Sequence, residues 1–338
     1  MTSCCYVIIL NYNGWKDTIE CLDTLFQSNN SVNYKVIVCD NNSTDSSVKN
    51  IRSWLDDKLE LLSINPNPLI QTHLQEKPSY VYWRRPLDEK YDAPLLLVES
   101  GENRGFAAGN NIGIKIAMQQ DDCETMFILN NDTVVDKDTI YEGVAALRAN
   151  PHAGICSVNA KCYDKPGDPN WYPMYYDPDT GKENYLSKDH QPSSRYLYKY
   201  TGMAFFVTRK FIEDIGLMNE TYFLYYEELD WTVRCKNKFS LITADKSIVY
   251  HKGGATASPQ SPLSWFCTVR SLFLFVKKYY PEKFSKIYFL WCLRCLKRLL
   301  EGNFLHGFIL LKFLIIFPFK GEQYTGGFFT YKTAVYSF

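Results

Sequence analysis

The chain lacks a net charge: 37 lysines and arginines stand against 37 aspartates and glutamates over 338 residues. A polypeptide built throughout to neutralise nucleic acid carries a large positive excess, so that class is excluded. It also lacks a long apolar run. The longest, Phe304 to Phe319, falls short of the ~20 residues that span a bilayer and carries His306 and Lys312, so no transmembrane helix is expected. Neither G-x-G-x-x-G nor G-x-x-x-x-G-K-[ST] occurs, which leaves nicotinamide-cofactor and P-loop chemistry without a fingerprint. No basic, apolar and small-residue leader pattern precedes Val7. The 11 cysteines are scattered from Cys4 to Cys295, with one C-x-x-C at Cys292–Cys295. An odd number without paired spacing predicts reduced thiols in a cytoplasmic chain, and half a tetrahedral ligand set does not make a zinc site.

Aromatic residues are plentiful, at 16%, and they are unevenly spread. Residues 265–338 hold 21 of the 53 aromatics, together with 11 lysines and arginines and only Glu282, Glu301 and Glu322 as acids. That tail is +8 and the remainder −8, so neutrality averages two dissimilar parts. Apolar helical patterns lie at 265–276, 287–300 and 304–319. Cations interleaved with aromatics at helical spacing suit an interfacial helix pair on an anionic membrane surface; a helical appendage packed on the core is the other reading.

The first 260 residues read as an α/β domain, and 261–338 as a basic, aromatic helical region. Tyr6 to Leu10, Lys35 to Cys39, Leu95 to Val98 and Thr125 to Leu129 are short apolar runs bounded by turn residues and alternating with helical patterns. Such runs predict a mostly parallel sheet flanked by helices with right-handed crossovers. Residues 63–94, with five prolines, read as an inserted loop, and residues 163–195, rich in Pro, Asp and Tyr, as surface loops over a site.

Ligands of open parallel sheets bind outside the carboxyl ends of the strands. The polar clusters of this chain fall there: Asn11 to Gly14, Asp40 to Asp45 and Asn130 to Asp132. Gly105, Gly109 and Gly113 recur on one helical face, either for close helix-on-sheet packing or to admit a ligand, with Arg104 as a phosphate partner. Asp132 between amides is either a turn residue or a ligand to a hard divalent cation completed by substrate phosphates. Tyr225-Tyr-Glu-Glu-Leu-Asp-Trp231 places three carboxylates within four residues. Enclosed, they would strain each other's ionisation and poise a general base; exposed, they are the acidic first turn of a helix. His251 closes a strand-like run ahead of Lys252-Gly-Gly254, a setting for a metal ligand or phosphate donor that His73, His152, His190 and His306 lack.

Val7-Ile-Ile-Leu-Asn-Tyr-Asn-Gly14, Val38-Cys-Asp-Asn-Asn-Ser-Thr-Asp45, Asn103-Arg-Gly-Phe-Ala-Ala-Gly-Asn-Asn111, Leu129-Asn-Asn-Asp132, Tyr226-Glu-Glu-Leu-Asp-Trp231 and Tyr250-His251 occur in that order. In this the chain resembles a family 2 glycosyltransferase of the GT-A fold over residues 5–255, closest to the bacterial rhamnosyltransferase-like branch that builds O-antigen and capsule. The resemblance implies a Rossmann-like α/β domain with a C-terminal helical appendage. It implies that Asp40 pairs with a pyrimidine N3–H, that Asn11, Asn13 and Asn131 line the nucleotide cleft, and that Arg104 and Gly105 belong to the donor-binding turn. It makes Asp132 the last position of a DXD-type motif for Mg²⁺ or Mn²⁺, with Asn130 in the place of its first Asp. His251 becomes the distal histidine at the metal or diphosphate. Glu228, where Asp often stands, becomes the catalytic carboxylate, flanked by Glu227 and Asp230. The implied activity is inverting transfer of a sugar, rhamnose from dTDP-rhamnose first, from a nucleotide-sugar donor to a saccharide acceptor; the basic, aromatic tail points to a lipid-linked oligosaccharide at the inner face of the cell membrane as that acceptor. A non-catalytic carbohydrate-binding or scaffolding module of the same fold is the alternative.

Overall fold

A computed structural model describes residues 3–29, 31–59, 74, 76–166, 169–171, 174–185, 196–200, 202–253 and 261–329. In chain order its elements are β1 (Cys4–Asn11), α1 (Trp15–Leu25), β2 (Asn33–Asp40), α2 (Ser47–Leu55), β3 (Tyr80–Trp83), β4 (Leu95–Glu99), α3 (Phe106–Met118), β5 (Cys123–Asn130), β6 (Thr133–Val135), α4 (Thr139–Ala149) and β7 (Ala153–Cys162). There follow β8 (Pro169–Trp171), β9 (Met174–Asp177), β10 (Lys182–Tyr185), β11 (Leu197–Lys199), β12 (Ala204–Thr208), α5 (Arg209–Ile215), α6 (Glu227–Cys235), β13 (Ser240–His251), α7 (Pro262–Tyr279), α8 (Phe284–Leu300) and α9 (Phe304–Lys320).

The uninterrupted apolar runs become the central strands, because only a strand covered on both faces can bury every side chain. Tyr6 to Ile9, Val36 to Cys39 and Leu95 to Val98 are all fully buried. Among the described residues ten strands form one sheet in the order β3-β4-β2-β1-β5-β12-β7-β13-β6, with β8 beside β7. The stretch from β3 to β5 is parallel. β12 then enters antiparallel between β5 and β7, and β13 runs parallel to β7. The carboxyl ends of β1, β2, β5 and β13 therefore share one edge with the start of β12. This architecture is the α/β fold expected from the sequence, with helices on both sheet faces and a helical C-terminal region.

Two segments expected as loops carry strands. Tyr80-Val-Tyr-Trp83 extends the sheet as its edge strand, with Pro78 and Pro86 flanking rather than interrupting it. Aromatic and β-branched residues favour this pleated surface, and prolines at the ends cost no ladder bond. Residues 63–73 and 75 of that stretch lie outside the described residues. In the second segment β9 and β10 join β11, which lies just beyond it, in a small antiparallel sheet, and residues 167, 168, 172, 173 and 186–195 lie outside the described residues. Tyr176 of this sheet is fully buried under the C-terminal helices.

α7 begins on a cap, where Ser261 Oγ accepts from Ser264 N at 3.1 Å and Pro262 occupies the first turn. It packs Leu272, Phe273, Phe275 and Val276 into one apolar cluster with Tyr222, Tyr226 and Leu229. Arg270, 1% exposed, donates to the carbonyls of Thr221, Glu322 and Tyr324. This fixes α7 to the α/β part, while α8 and α9 pack on it from outside. Gly109 and Gly113 are explained by packing: a Cβ there would lie 2.3 Å from Leu10 and 2.5 Å from Ile8 of β1.

Candidate active site

Asn11, Asp40 and Asn130 each end a strand at the shared edge. Asp40 Oδ2 accepts from Asn11 Nδ2 at 2.7 Å and Ser43 Oγ at 2.6 Å, and its Oδ1 accepts from Ser43 N at 2.9 Å. Asn13, at φ 52°, uses its carbonyl to accept from Thr44 N at 2.8 Å. Asparagine tolerates that left-handed backbone because its short amide can bond locally. Asn11, Asn13 and Asp40 thus form one network with Ser43 and Thr44 that ties the two strand-end loops together. Asn131 joins it through Asn11, whose Oδ1 accepts from Asn131 Nδ2 at 3.5 Å and from Thr18 Oγ1 at 2.9 Å. The same Asn131 Nδ2 donates to Gly14 O and Thr18 Oγ1, both at 3.1 Å, and braces the start of α1. A Cβ on Gly14 would lie 2.6 Å from that nitrogen, which is why glycine stands there.

Asp132 follows β5, and His251 ends β13 opposite Thr133. Their Oδ1 and Nε2 atoms are 3.2 Å apart. Lys252 holds the pair in register, donating its backbone N–H to Asp132 O at 3.0 Å while its ammonium binds Asp17 at 2.6 Å and also Glu20. No cluster of three His, Cys, Asp or Glu able to hold a metal occurs among the described residues. One carboxylate and one imidazole fit a divalent cation that takes its remaining ligands from water and phosphate, rather than an all-protein cage.

Before α6, Tyr225 and Tyr226 both adopt positive φ, 70° and 77°. Left-handed backbone at such residues costs about 1–3 kcal/mol each and persists only where packing dictates it. Tyr226 is held edge-on by Tyr176, with Phe275 also against its ring, and Tyr225 bonds Ser264 through its hydroxyl at 2.8 Å. The bend starts α6 directly at Glu227 and Glu228, which are 1% and 8% exposed. A Cβ on Gly202 would fall 1.7 Å from Glu228 Oε1. The next residue, Met203, accepts from Asn130 N at 2.8 Å, which puts Gly202 and Glu228 at the strand end that Asp132 follows.

Burial pushes both carboxyls above their ordinary range; the charge of Glu228 adds to this for Glu227, whereas Lys199 holds Glu228 back. Lys199 itself is ion-paired to Glu183 at 2.8 Å. Among the described residues Glu228 Oε2 has no hydrogen-bond partner. A buried carboxylate with an unused oxygen and a raised pKa is equipped to accept a proton.

Two expected site residues are engaged in ion pairs of their own. Asp230, on the other side of α6, binds Arg234 at 2.6 Å, Lys278 at 2.8 Å and the Tyr279 hydroxyl at 2.7 Å. Burial alone would raise its pKa, but Arg234 and Lys278 bring it below the ordinary value. It faces a separate cavity of about 720 Å³ whose lining includes neither Glu227 nor Glu228. Arg104 pairs with Glu220 at 3.0 Å and Glu102 at 3.6 Å, which makes it a brace for the loop ahead of α6. Gly105, at φ 92°, passes so close to Phe223 that a Cβ would lie 2.1 Å from its carbonyl oxygen. Sequence reading missed Lys199 and Gly202. A glycine just ahead of a buried apolar run was the available signal, but which carboxylate it meets depends on the crossing of β12 and α6.

The model of glycosyl transferase family 2 matches residues 6–67 and 85–215, more than half of the chain; α6 and His251 lie beyond that stretch. The chain is 26% identical over 156 residues to the low-salt glycan biosynthesis hexosyltransferase Agl10 of Haloferax volcanii, covering 42% of this chain and 46% of that one. It is 24% identical over 194 residues to the dTDP-rhamnosyl transferase RfbF of Shigella flexneri, covering 54% and 63%. The matches thus span from about half to under two thirds of those relatives' own lengths. The mannosyltransferase PcManGT of Pyrobaculum calidifontis, solved with GDP-Man and Mn²⁺, superposes with a TM-score of 0.50 at 16% identity, over 92% of this chain and 70% of that one. By these matches, over a sheet whose strand ends carry this polar site, the chain belongs to glycosyl transferase family 2.

Proposed function

We propose that the protein transfers a sugar from a nucleoside diphosphate donor to a hydroxyl of a saccharide acceptor, with inversion at the anomeric carbon. The observation that carries this reading is the placement of buried Glu228 against Gly202, at the same strand end as the Asp132–His251 pair. Asp40, oriented by Asn11 and Ser43, supplies a fixed acceptor for a base N–H. Asp132 and His251 would hold Mg²⁺ or Mn²⁺, in keeping with the Mn²⁺ of the archaeal mannosyltransferase. Bound there, such a cation neutralises the charge that builds on the departing diphosphate. Glu228 takes the proton of the acceptor hydroxyl as that oxygen bonds to the anomeric carbon; on the opposite face the bond to the diphosphate oxygen breaks and its electron pair leaves with the nucleotide.

The RfbF match makes dTDP-rhamnose the first donor to try, ahead of UDP-galactose and UDP-glucose. The acceptor in this reading is a lipid-linked oligosaccharide of surface polysaccharide synthesis at the cytoplasmic leaflet. Release of nucleoside diphosphate from a donor panel, with Mg²⁺ or Mn²⁺, tests the proposal. Glu228→Gln should bind donor normally by calorimetry but lose at least roughly 10²-fold in rate, the low end for removing a positioned base. Asp132→Asn should weaken binding of the nucleoside diphosphate when metal is present. Silence towards every donor would instead favour a carbohydrate-binding module.

A further inference from the structure

The exposed large hydrophobic side chains of this molecule are concentrated on one surface. Phe289, Leu293 and Leu296 on α8 and Phe308, Ile315 and Phe319 on α9 are between 49% and 87% exposed. Outside this helix pair and its junction, only Tyr141 and Phe328 are comparably exposed among the described residues. The exposed residues recur at three- and four-residue spacings, one stripe per helix. The opposite stripes are buried in the cluster under α7, including Trp291 on α8 and Phe313 and Phe317 on α9. α9 is thus apolar on both sides and covered on one, whereas a helix of a water-soluble surface is polar on its outer side.

Charge decides what covers the bare side. Lys286, Lys297, Lys312 and Lys320 are exposed among the same stripes. The only carboxylate from Phe284 to Lys320 is Glu301, in the connecting turn. Two copies meeting face to face would oppose cation to cation. Anionic lipid headgroups match the lysines while the rings enter the acyl boundary and the lysine stems reach back to phosphate.

We infer that α8 and α9 lie flat on an anionic membrane leaflet as a monotopic anchor. The segment Phe304–Gln323 is long and apolar enough to cross a bilayer. Crossing would however strip Leu314 and Phe317 from the core cluster and carry Lys312 to mid-membrane. The anchor deepens the proposed lipid-linked acceptor and rests on that reading only for its purpose; its test uses neither donor nor acceptor, so each can fail alone.

Full-length protein is floated with phosphatidylcholine vesicles with and without phosphatidylglycerol. Binding to the anionic vesicles only, weakened by salt and released by alkaline carbonate, is expected. The combined change Phe289→Ser, Phe308→Ser and Ile315→Ser should lower retention at least roughly tenfold, since buried apolar area sets interfacial affinity. Lys286→Glu, Lys297→Glu and Lys312→Glu together should do the same. Both variants should keep the parent's thermal midpoint, as all of these residues are exposed and none is in the core. Absence of flotation by the parent chain, or undiminished flotation by both variants, overturns the inference. Carbonate-resistant binding would mean a spanning helix, and a lipid-free dimer abolished by the serine changes would mean a second copy; either result also overturns it.

Discussion

Glu228 owes its proposed chemistry to residues that are far from it in the chain. Gly202 leaves room for its carboxylate, and Lys199 offsets the burial that drives its pKa up. Transfer requires the ionised form, so the rate falls as pH drops through the Glu228 pKa. With the Lys199 cation removed, burial and the negative Glu183 are opposed only by the backbone hydrogen bond that Glu228 accepts. Lys199→Met should therefore move the acid limb of the kcat/KM profile to higher pH, and Lys199→Arg should restore it. Gly202→Ala pushes a methyl into Glu228 Oε1 and should lower kcat about 10²-fold with donor binding kept, the penalty of misplacing a reacting group by about 1 Å. Asp40, Asp132, Glu228 and His251 were legible in the sequence because each ends a strand or begins a helix at a predictable edge. Lys199 and Gly202 were not, since nothing local to them names the carboxylate they face. Asn131 and Arg104 were legible as polar residues at that edge, but only packing decided that one braces α1 and the other Glu220.

At the scale of elements, α6 is two-sided. Its first turn presents Glu227 and Glu228 towards Gly202 and Lys199, while Asp230 ties the far side to α7 through Lys278 and Tyr279. Asp230→Asn should cost about 1–3 kcal/mol, the loss expected for weakening a buried charged hydrogen-bond centre, and lower the thermal midpoint. Retention of the Glu228 acid limb in that variant would separate a structural role from a catalytic one. Because folding lowers the Asp230 pKa, its contribution is present above the ordinary value of 3.8 and is lost as pH falls below it. Most helices and central strands could be read from hydrophobic period. β3 and the β9–β11 sheet could not, because prolines and tyrosines signal loops until a neighbouring strand or helix offers them a surface.

For the whole molecule, the opposed charges of the two parts acquire a physical sense. The acidic part holds the carboxylates of the site, and the basic helices carry their cations on an apolar outer face. These parts are not separable pieces: Arg270 binds the backbone at Thr221, and α7 shares its core with Tyr222, Tyr226 and Leu229. A chain ending before Pro262 should therefore expose that cluster and elute from size exclusion as aggregate, whereas the exposed serine changes on α8 and α9 should leave a soluble, folded protein. The sequence by itself determined the alternation of buried strands and helices, the polar strand ends and the charge division, because these follow from local period and turn chemistry. Tertiary structure alone decided which carboxylate is enclosed against Gly202, which is neutralised by α7, and which side of α9 stays bare. Those outcomes depend on long-range crossings that bring distant residues within a few ångströms, and no local pattern encodes them.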